Sequence, residues 1–324
     1  MSLKGKEALH MYQIGIDIGG TNVKIGLLDE ALELTAETSV PFPHTTAADL
    51  AKKIRAAVLA LLEEKNAALC DVGSLGAVVP GSIDASGETV LDAHNLDFHN
   101  VPLRKLLQEQ FPGIPVYIAN DANGAALAEL YKGAFTGCKT GVLLTLGTGL
   151  GGGIILNGKM FNGGMNHGVE LGHAYLVDGG EPCTCGNYGC VERYCSATAI
   201  IRMARELCAV HPESEIVKVC EGDLNRVNAK VVFDAAKNGD EIALKVFHRY
   251  VKYLGQLVAS LVNCIDPEVI VLGGGVSKAG DFLLDAVRAE ARRYVLYKTL
   301  PSARIELAKL GPDAGIIGAA MLGK

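Results

Sequence analysis

The chain has 324 residues, of which 49% are hydrophobic and 20% are charged, and its formal net charge is −6. This length exceeds a typical single core and favours two domains. The acidic balance and the absence of a Lys/Arg run argue against a nucleic-acid-binding surface. No apolar stretch approaches the length of about eighteen residues that a membrane helix requires, and the N-terminus lacks a signal-peptide core. We expect a cytosolic protein with reduced cysteines and with neither nucleic acid nor membrane as a partner.

Two short β-rich runs near the N-terminus are separated by a glycine turn. Ile14–Asp17 is followed by Gly19-Gly20-Thr21 and then by Val23–Leu28. P-loops and dinucleotide folds place a helix after their glycine loop, whereas here the chain returns as a second strand. The pattern predicts a β-hairpin and argues against a P-loop. Residues 1–12 precede this hairpin and are interpreted as an N-terminal extension.

Strands then alternate with helices. In chain order the pattern predicts a helix at Thr46–Asn66, strands at Leu75–Val79 and Pro115–Ala119, and a helix at Ala122–Lys132. This alternation predicts an α/β sheet, in which the residues just past the strand ends line the ligand crevice. Gly81, Asn120 and Asp121 follow strand ends in this way.

The order of strand, glycine turn and strand recurs in the middle of the chain. A strand at Gly141–Leu146 is followed by a glycine-rich turn over 147–153 and a second strand at Ile154–Leu156. We interpret the recurrence as an internal duplication of architecture, with one hairpin near the start of each half. Further along, the pattern predicts a long helix at Asp240–Cys264, a strand at Val269–Leu272 and a closing helix at Ala314–Leu322.

Three glycine turns, at residues 19–20, 147–153 and 273–275, each follow a predicted strand. Bare glycine backbone can approach a phosphate or a nucleobase, and its N–H groups serve as donors. Each turn alone is better interpreted as a tight hairpin. Together, with Asp17, Thr21 and Thr148 beside them, they favour a nucleotide clamped between two domains. Asp17 suits Mg²⁺ held through water, with an Asx turn as the structural alternative.

Asn120 and Asp121 form the best candidate for a reacting site. A general base must lie within hydrogen-bond reach of the hydroxyl it deprotonates, and a carboxylate at a strand end is suitably placed. Asp121 is our candidate for that base, and helix N-capping is its structural alternative. Asn120 could donate to and accept from a polyol substrate.

A His/Cys cluster lies in the stretch His167–Glu192. Thiolate and imidazole groups suit a tetrahedral Zn²⁺, although the C-x-C-x₄-C spacing differs from the common C-x₂-C knuckle. A loop of free thiols is the structural alternative. Glu170 and Glu192 bracket the cluster, and such acceptors suggest sugar hydroxyls, with a solvated acidic surface as the alternative. The predicted zinc ligands are His173, Cys183, Cys185 and Cys190.

These motifs together resemble the ROK family of bacterial sugar kinases and sugar-responsive repressors. The resemblance rests on DIGGT at 17–21, ND at 120–121, LGTGLGGG at 146–153, ELGH at 170–173, CTCGNYGCVE at 183–192 and VLGGGVS at 271–277. It implies a two-domain actin-like ATPase fold of the hexokinase type, related to ribonuclease H, with a structural zinc loop at 173–190. It also implies a small N-terminal domain over 13–119, joined by a C-terminal helix at 313–324, and a large domain over 120–312.

The resemblance further implies the role of each site residue and the cofactors ATP, Mg²⁺ and structural Zn²⁺. Asp121 would activate the terminal hydroxyl of the sugar for attack on the γ-phosphate of ATP. The sugar would be held by Gly81, Asn95, Asn120, Asp121, Glu170, His173 and Glu192. The phosphates would be lined by Asp17, Gly19, Gly20, Thr21, Gly147, Thr148 and Gly149, and the adenosine side by Gly273, Gly274 and Gly275.

The expected activity is that of an ATP-dependent hexose kinase of the glucokinase type, acting as a homodimer in carbohydrate metabolism. An N-acetylglucosamine or N-acetylmannosamine kinase is the first alternative, and fructose and allose are further options for the sugar. Family members often carry AGE-x-GH, whereas this chain has GVELGH, so Val169 alters the expected pocket wall. A sugar-sensing regulator is disfavoured because only 16 residues precede Asp17, which leaves no room for a DNA-binding segment.

Overall fold

The structure is a computed structural model that describes residues 12–42, 45–165 and 168–324. The predicted extension over 1–12 therefore lies outside the described residues except for Tyr12, and His167 lies outside them too. The strands of the described chain are β1 (Tyr12–Ile18), β2 (Asn22–Leu28), β3 (Leu34–Pro41), β4 (Val72–Val79), β5 (Ser82–Ile83), β6 (Val90–Ala93), β7 (Phe98–Val101), β8 (Val116–Asn120), β9 (Gly141–Leu146), β10 (Leu150–Leu156), β11 (Lys159–Phe161), β12 (Val269–Gly273) and β13 (Arg304–Leu307).

The helices contribute residues to both halves of the chain. They are α1 (Ala47–Glu64), α2 (Leu103–Gln110), α3 (Asp121–Lys132), α4 (Glu192–Cys195), α5 (Ala197–Cys208), α6 (Glu215–Val219), α7 (Ala229–Lys237), α8 (Glu241–Ile265), α9 (Asp281–Ala291) and α10 (Ala314–Met321). Among the described residues, no helix is both long and apolar enough to cross a membrane.

The chain divides into two compact units. Unit 1 comprises Met1–Lys132, Met160–Val169 and Pro312–Lys324, and unit 2 comprises Gly133–Lys159 and Glu170–Gly311. The sequence placed a boundary after residue 119, whereas α3 groups with unit 1. The physical reason is that α3 continues from β8 and packs backbone to backbone on α10, where a Cβ at Gly318 would overlap the Gly124 carbonyl.

Unit 1 is built on a five-stranded sheet in the order β3-β2-β1-β4-β8. β1 pairs antiparallel with β2 and parallel with β4, and β4 pairs parallel with β8. Apolar side chains of β1, β2, β4 and β8 share one buried cluster with those of α1 and α2. Thr46, the predicted first residue of this helix, caps α1 by accepting the Asp49 N–H at 3.2 Å.

Unit 2 repeats this plan with a sheet in the order β11-β10-β9-β12-β13. β9 pairs antiparallel with β10 and parallel with β12, and β12 pairs parallel with β13. The two sheets therefore share strand order and direction, as the recurrence of the hairpin pattern suggested. Two different segments of the chain thus present the same kind of glycine turn at the end of an equivalent strand.

The long helix α8 forms where the apolar periodicity predicted it. Phe247, Leu254 and Val258 are among its buried residues, and Asp240 caps its first turn by accepting the Ala243 N–H at 2.7 Å. The helix ends at Ile265. The next residue, Asp266, has a left-handed φ of 50° and precedes a proline. The buried face of α8 packs into the core of unit 2.

One predicted boundary in unit 2 is wrong. The glycine turn was expected to span 147–153, but β10 already begins at Leu150, so Gly151, Gly152 and Gly153 lie within the strand. Close packing accounts for the composition, because a Cβ at Gly152 would lie 2.9 Å from the Leu143 carbonyl oxygen. The turn itself is only three residues long.

Candidate functional site

The first glycine turn joins β1 to β2 in unit 1. The Gly19 N–H donates to the Asn22 carbonyl at 2.9 Å, which closes the turn, and the strands pair on either side of it. Asp17 lies near the end of β1 and is directly opposite Lys24 on β2. The predicted β-hairpin is confirmed, and it places a carboxylate and an ammonium group beside the turn.

The Asp17 carboxylate is half-buried and faces the start of α10. Gly315 lies against it so closely that a Cβ at position 315 would overlap the carboxylate. Burial and the negative charge of Asp121 raise the pKa of Asp17, and the positive charge of Lys24 lowers it. No hairpin N–H in the described chain donates to this carboxylate, so the Asx-turn alternative gains no support. Two carboxylates that repel each other within unit 1 suit a bridging divalent cation.

Asn120 and Asp121 lie where β8 passes directly into α3. The Asn120 Oδ1 accepts the N–H groups of Ala122 at 2.9 Å and Asn123 at 3.3 Å, so Asn120 caps the helix. The Asp121 Oδ1 also accepts the Ala122 N–H, at 2.8 Å. Desolvation by the surrounding protein raises the pKa of Asp121, although the residue is exposed at the surface. A raised pKa makes the ionised carboxylate a stronger base, which suits the role of proton acceptor.

The remaining unit 1 candidates surround this strand end. The Asn120 side-chain amide donates to the Gly81 carbonyl at 2.9 Å, which ties the two predicted sugar residues together. Gly81 has a φ of 99°, and a Cβ there would overlap the Asp92 carbonyl. Asn95 is exposed, and its backbone lies beside Gly20 of the first glycine turn. Unit 1 therefore brings Gly81 to Asn120, and Asn95 to the first glycine turn.

Sequence reasoning missed one polar pair in unit 1. The buried side-chain amide of Asn123, on α3, donates to Asn162 Oδ1 at 3.1 Å. Asn123 lies two residues after the candidate base, so this bond fixes the first turn of the helix that carries it. The signal that could have indicated this pair is an asparagine inside a run of small apolar helix residues.

The second glycine turn joins β9 to β10 in unit 2. It spans Gly147, Thr148 and Gly149, and the Gly147 N–H donates to the Gly149 carbonyl at 3.0 Å. The Leu150 N–H, just past the turn, donates to Glu192 Oε2 at 3.0 Å. Glu192 was predicted as a sugar residue, and its carboxylate also lies against the second glycine turn.

Gly274 is brought beside the same turn. With a φ of 83°, it packs on the backbone of Leu146, the last residue of β9, where a Cβ would lie 2.6 Å from the Leu146 carbonyl oxygen. The Ser277 hydroxyl donates to the Gly274 carbonyl at 2.8 Å and closes the turn after β12. The predicted phosphate side at 147–149 and the predicted adenosine side at 273–275 are therefore neighbours within unit 2.

The four predicted zinc ligands converge in unit 2. Their ligand atoms all lie within 4.8 Å of one another. Cys183 Sγ is 3.7 Å from His173 Nδ1, and Cys185 Sγ is 3.6 Å from Cys190 Sγ. Ligands bound at about 2.0–2.3 Å in a tetrahedron are roughly 3.5–3.8 Å apart, so the donor set and its spacing fit Zn²⁺.

Backbone hydrogen bonds hold the ligand loop closed. The Cys183 N–H donates to the Asn187 carbonyl at 2.7 Å, and the Val191 N–H donates to the Ala174 carbonyl at 2.9 Å. The backbone N–H of Asn187 lowers the pKa of the exposed Cys185 thiol to about 7. Burial and the neighbouring Cys185 raise the pKa of Cys190 to about 12. A loop that crowds thiols in this way fits a metal centre better than scattered free cysteines.

The acidic neighbours of the cluster project from adjacent turns. Glu170 and His173 share one turn, in which the His173 N–H donates to the Glu170 carbonyl at 3.1 Å, and both residues are exposed. Gly172 of that turn packs against the Leu150 carbonyl. His173 Nδ1 faces Cys183, so Nε2 is left for another partner. The Glu192 carboxylate and the turn that carries Glu170 and His173 therefore both contact Leu150 at the start of β10.

The repeated sheets, their glycine hairpins and the carboxylate at the start of α3 define an ATPase of the actin-like class. Within that class, the ROK family model matches residues 13–324. The chain belongs to the ROK family.

Relatives of this chain include glucokinases over nearly its full length. The glucokinase of Halalkalibacterium halodurans is 38% identical over 316 residues, which cover 97% of this chain and 95% of the relative. A ROK family glucokinase from Streptomyces griseus, solved in complex with glucose and AMPPNP, matches with a TM-score of 0.81 and 35% identity, covering 96% of this chain and 98% of the other. The ROK hexokinase of Thermus thermophilus matches with a TM-score of 0.81 and 32% identity, covering 96% and 97%.

Proposed function

We propose that this chain is an ATP-dependent hexose kinase that phosphorylates the 6-hydroxyl of a glucose-like sugar. The observation that carries the proposal is the position of the Asp121 carboxylate at the junction of β8 and α3, beside the side chain of Asn120. Support also comes from the full-length similarity to glucokinases, one of which was solved with glucose and a nucleotide analogue. Asp121 would accept the proton of the attacking hydroxyl as the phosphoryl group is transferred.

Each unit carries residues that are proposed to bind sugar hydroxyls. In unit 1, Asn120 retains one amide N–H after it bonds Gly81, and Asn95 is exposed beside the glycine turn. In unit 2, Glu170, His173 and Glu192 offer two carboxylates and a ring nitrogen. Several fixed donors and acceptors are what a polyol requires for orientation.

Nucleotide binding is assigned to the glycine turns. The turn after β1 offers Gly19, Gly20 and Thr21 to the phosphates, and the turn after β9 offers Gly147 to Gly149. Residues 273–275 are assigned to the adenosine side, where a Cβ at Gly275 would meet no other atom within 4 Å. Asp17 would hold Mg²⁺ through water. Burial and the negative charge of Asp121 both disfavour the ionised form of Asp17, and a bound cation would offset these effects. When bound, Mg²⁺ would neutralise charge on the phosphates.

Zinc is assigned to His173, Cys183, Cys185 and Cys190 as a structural ion, because their spacing fits a tetrahedron. With Nδ1 on the metal, His173 would keep Nε2 for a sugar hydroxyl, which would couple metal content to sugar affinity. We also retain the expectation of a homodimer, which light scattering of the purified protein measures directly.

The test replaces Asp121 and supplies a panel of sugars. Asp121→Asn keeps the shape of the side chain and removes its basicity, so we expect turnover to fall by about 10²-fold or more. Sugar binding, measured by calorimetry, should persist. A coupled ADP assay with glucose, N-acetylglucosamine, N-acetylmannosamine, fructose and allose identifies the substrate of the wild-type protein.

Asp281→Asn is the matched control, since Asp281 is an exposed aspartate that begins α9 in unit 2. It should retain wild-type turnover. Near-normal turnover of Asp121→Asn would refute the assignment of the base. If the wild-type protein prefers an N-acetylated sugar, that sugar and not glucose is the substrate.

A further inference from the structure

The start of α5 is hydrogen-bonded to the turn over residues 147–149 in unit 2, which we call the phosphate turn under the proposed function. The Ala197 N–H donates to the Gly147 carbonyl at 2.8 Å. The hydroxyl of Thr198 donates to the Thr148 carbonyl at 2.7 Å. The carbonyls of Gly147 and Thr148, which would repel a phosphate, are therefore both bonded to the start of α5.

The other end of the turn is held by Glu192. Its Oε2 accepts the Leu150 N–H and occupies the space where a Cβ of residue 149 would lie. Within the described chain, the N–H groups of Thr148 and Gly149 have no protein acceptor. Fixing the carbonyls and the Leu150 N–H thus leaves two unpaired donors on the open side of the turn, as an anion site requires.

The segment that holds the turn, residues 192–198, is itself anchored in the core. The hydroxyl of Tyr250, which is fully buried on α8, donates to the Cys195 carbonyl at 3.0 Å. Buried Ser196 caps α5 by accepting the Ala199 N–H at 3.1 Å. These bonds prevent the 192–198 segment from shifting independently of α8.

We propose that Thr198 is a positioning residue that holds the 147–149 turn in the conformation that receives the phosphates of ATP. The inference rests on the proposed kinase function and adds a residue that the motifs did not single out. Thr198 is exposed at the first turn of α5, and its hydroxyl bonds the Thr148 carbonyl of a different element. Its hydroxyl therefore contributes to the turn and adds nothing to the hydrophobic core.

The same segment links the phosphate turn to the sugar residues. Only Oε2 of Glu192 has a protein donor in the described chain, so Oε1 is left for a sugar hydroxyl. Cys190, a proposed zinc ligand, lies two residues before it. A change at Thr198 should therefore affect ATP alone, whereas a change at Glu192 should affect ATP and sugar together.

The experiment compares Thr198→Val, which removes the hydroxyl but keeps the branched shape, with Thr198→Ser, which keeps the hydroxyl. We expect Thr198→Val to raise KM for ATP about fivefold, which equals about 1 kcal/mol at 1.4 kcal/mol per factor of ten. KM for the sugar, zinc content and Tm should stay at wild-type values. Thr198→Ser should restore KM for ATP to within about twofold, because its hydroxyl reaches the same carbonyl.

Thr299→Val is the matched control, since Thr299 is an exposed threonine between α9 and β13. It should leave every parameter unchanged. A wild-type KM for ATP in Thr198→Val would overturn the inference, and so would an equal loss in the serine variant.

The two proposals fail in different ways. If wild-type protein releases no ADP with any sugar of the panel, the proposed function is rejected. Calorimetric titration of AMPPNP into wild type and Thr198→Val still measures the turn in that case. Weaker binding to the valine variant would support the positioning role, and equal affinity would reject it.

Discussion

The two glycine turns follow the same plan and carry different chemistry. Each joins an antiparallel strand pair at the same position of an equivalent sheet. In unit 1 the turn lies beside ionisable side chains, the carboxylates of Asp17 and Asp121 and the ammonium of Lys24. In unit 2 it lies against neutral groups of α5 and one carboxylate that accepts a backbone N–H.

This difference separates two tasks of phosphoryl transfer. Charged groups near the first turn can hold a cation and accept a proton, and both tasks depend on pH. Fixed backbone groups near the second turn can orient a phosphate at any pH at which the protein is folded. Under the proposed function, one supersecondary unit would serve charge chemistry in unit 1 and positioning in unit 2, according to the side chains that pack against the turn.

The largest expected effect within this comparison comes from removing the charge of Asp17. Asp17→Asn should lower kcat by about 10²- to 10³-fold, the range expected when a group that stabilises transition-state charge is lost. Its dependence on Mg²⁺ concentration should also shift to higher concentrations. Steady-state kinetics across a Mg²⁺ series measures both quantities.

Folding should respond to Asp17→Asn in the opposite direction. Burial and Asp121 raise the pKa of Asp17, so its ionised form opposes folding, and the cost grows as pH rises through the folded-state pKa. Asp17→Asn should therefore match or exceed the wild-type Tm at pH values above that pKa. A normal kcat and an unchanged Mg²⁺ requirement in Asp17→Asn would show that the charge of Asp17 does not contribute to catalysis.

A smaller effect is expected from breaking the metal centre of unit 2. Cys185→Ser should lose zinc and raise KM for the sugar by roughly 10- to 100-fold, the range for perturbing ligand support in metal sites. KM for ATP should change less, because the bonds of Thr198 and Ala197 to the turn remain. Metal analysis and the coupled ADP assay measure these changes.

Cys264→Ser provides the control for this substitution, since Cys264 is exposed on α8 in the same unit and outside the cluster. It should retain zinc and normal kinetics. Zinc-free protein with unchanged sugar affinity would separate the metal from the sugar residues and confine its role to folding.

The sequence predicted the elements whose signals are local. The two hairpins followed from glycine between β-rich runs, and α1 and α8 followed from apolar periodicity with Thr46 and Asp240 at their starts. The convergence of His173 with the three cysteines followed from composition, because thiols and a histidine crowded into one loop are a donor set that Zn²⁺ prefers. Local patterns of this kind depend on neighbours along the chain and can be read from it.

What the sequence did not predict depends on packing between distant residues. Gly151–Gly153 look like a loop, yet they lie in a strand, and at Gly152 the side chain of Leu171 and the Leu143 carbonyl leave no room for a Cβ. Thr198 carries no motif and gains its proposed role only because α5 begins behind the turn, 50 residues away in sequence. Likewise, the assignment of α3 to unit 1 depends on its packing against α10 at the other end of the chain.

The smallest expected effect concerns Lys24, and it tests whether the charges of unit 1 act together. Lys24 is opposite Asp17 in the hairpin, and its ammonium donates to the Pro312 carbonyl at 3.3 Å, just before α10. Its charge lowers the pKa of Asp17 against the opposing effects of burial and Asp121. Lys24→Gln removes that influence, so the pKa of Asp17 should rise.

A higher pKa leaves more Asp17 protonated at a given acidic pH, so the acid limb of kcat/KM should move to higher pH in Lys24→Gln. The difference from wild type should vanish at alkaline pH, where Asp17 is ionised in both proteins. The measurement is a pH profile at limiting Mg²⁺. Lys24→Arg keeps the positive charge and should retain the wild-type limb. Superimposable profiles for wild type and Lys24→Gln would show that Asp17 does not control the acid limb, and would leave Asp121 as the titrating group.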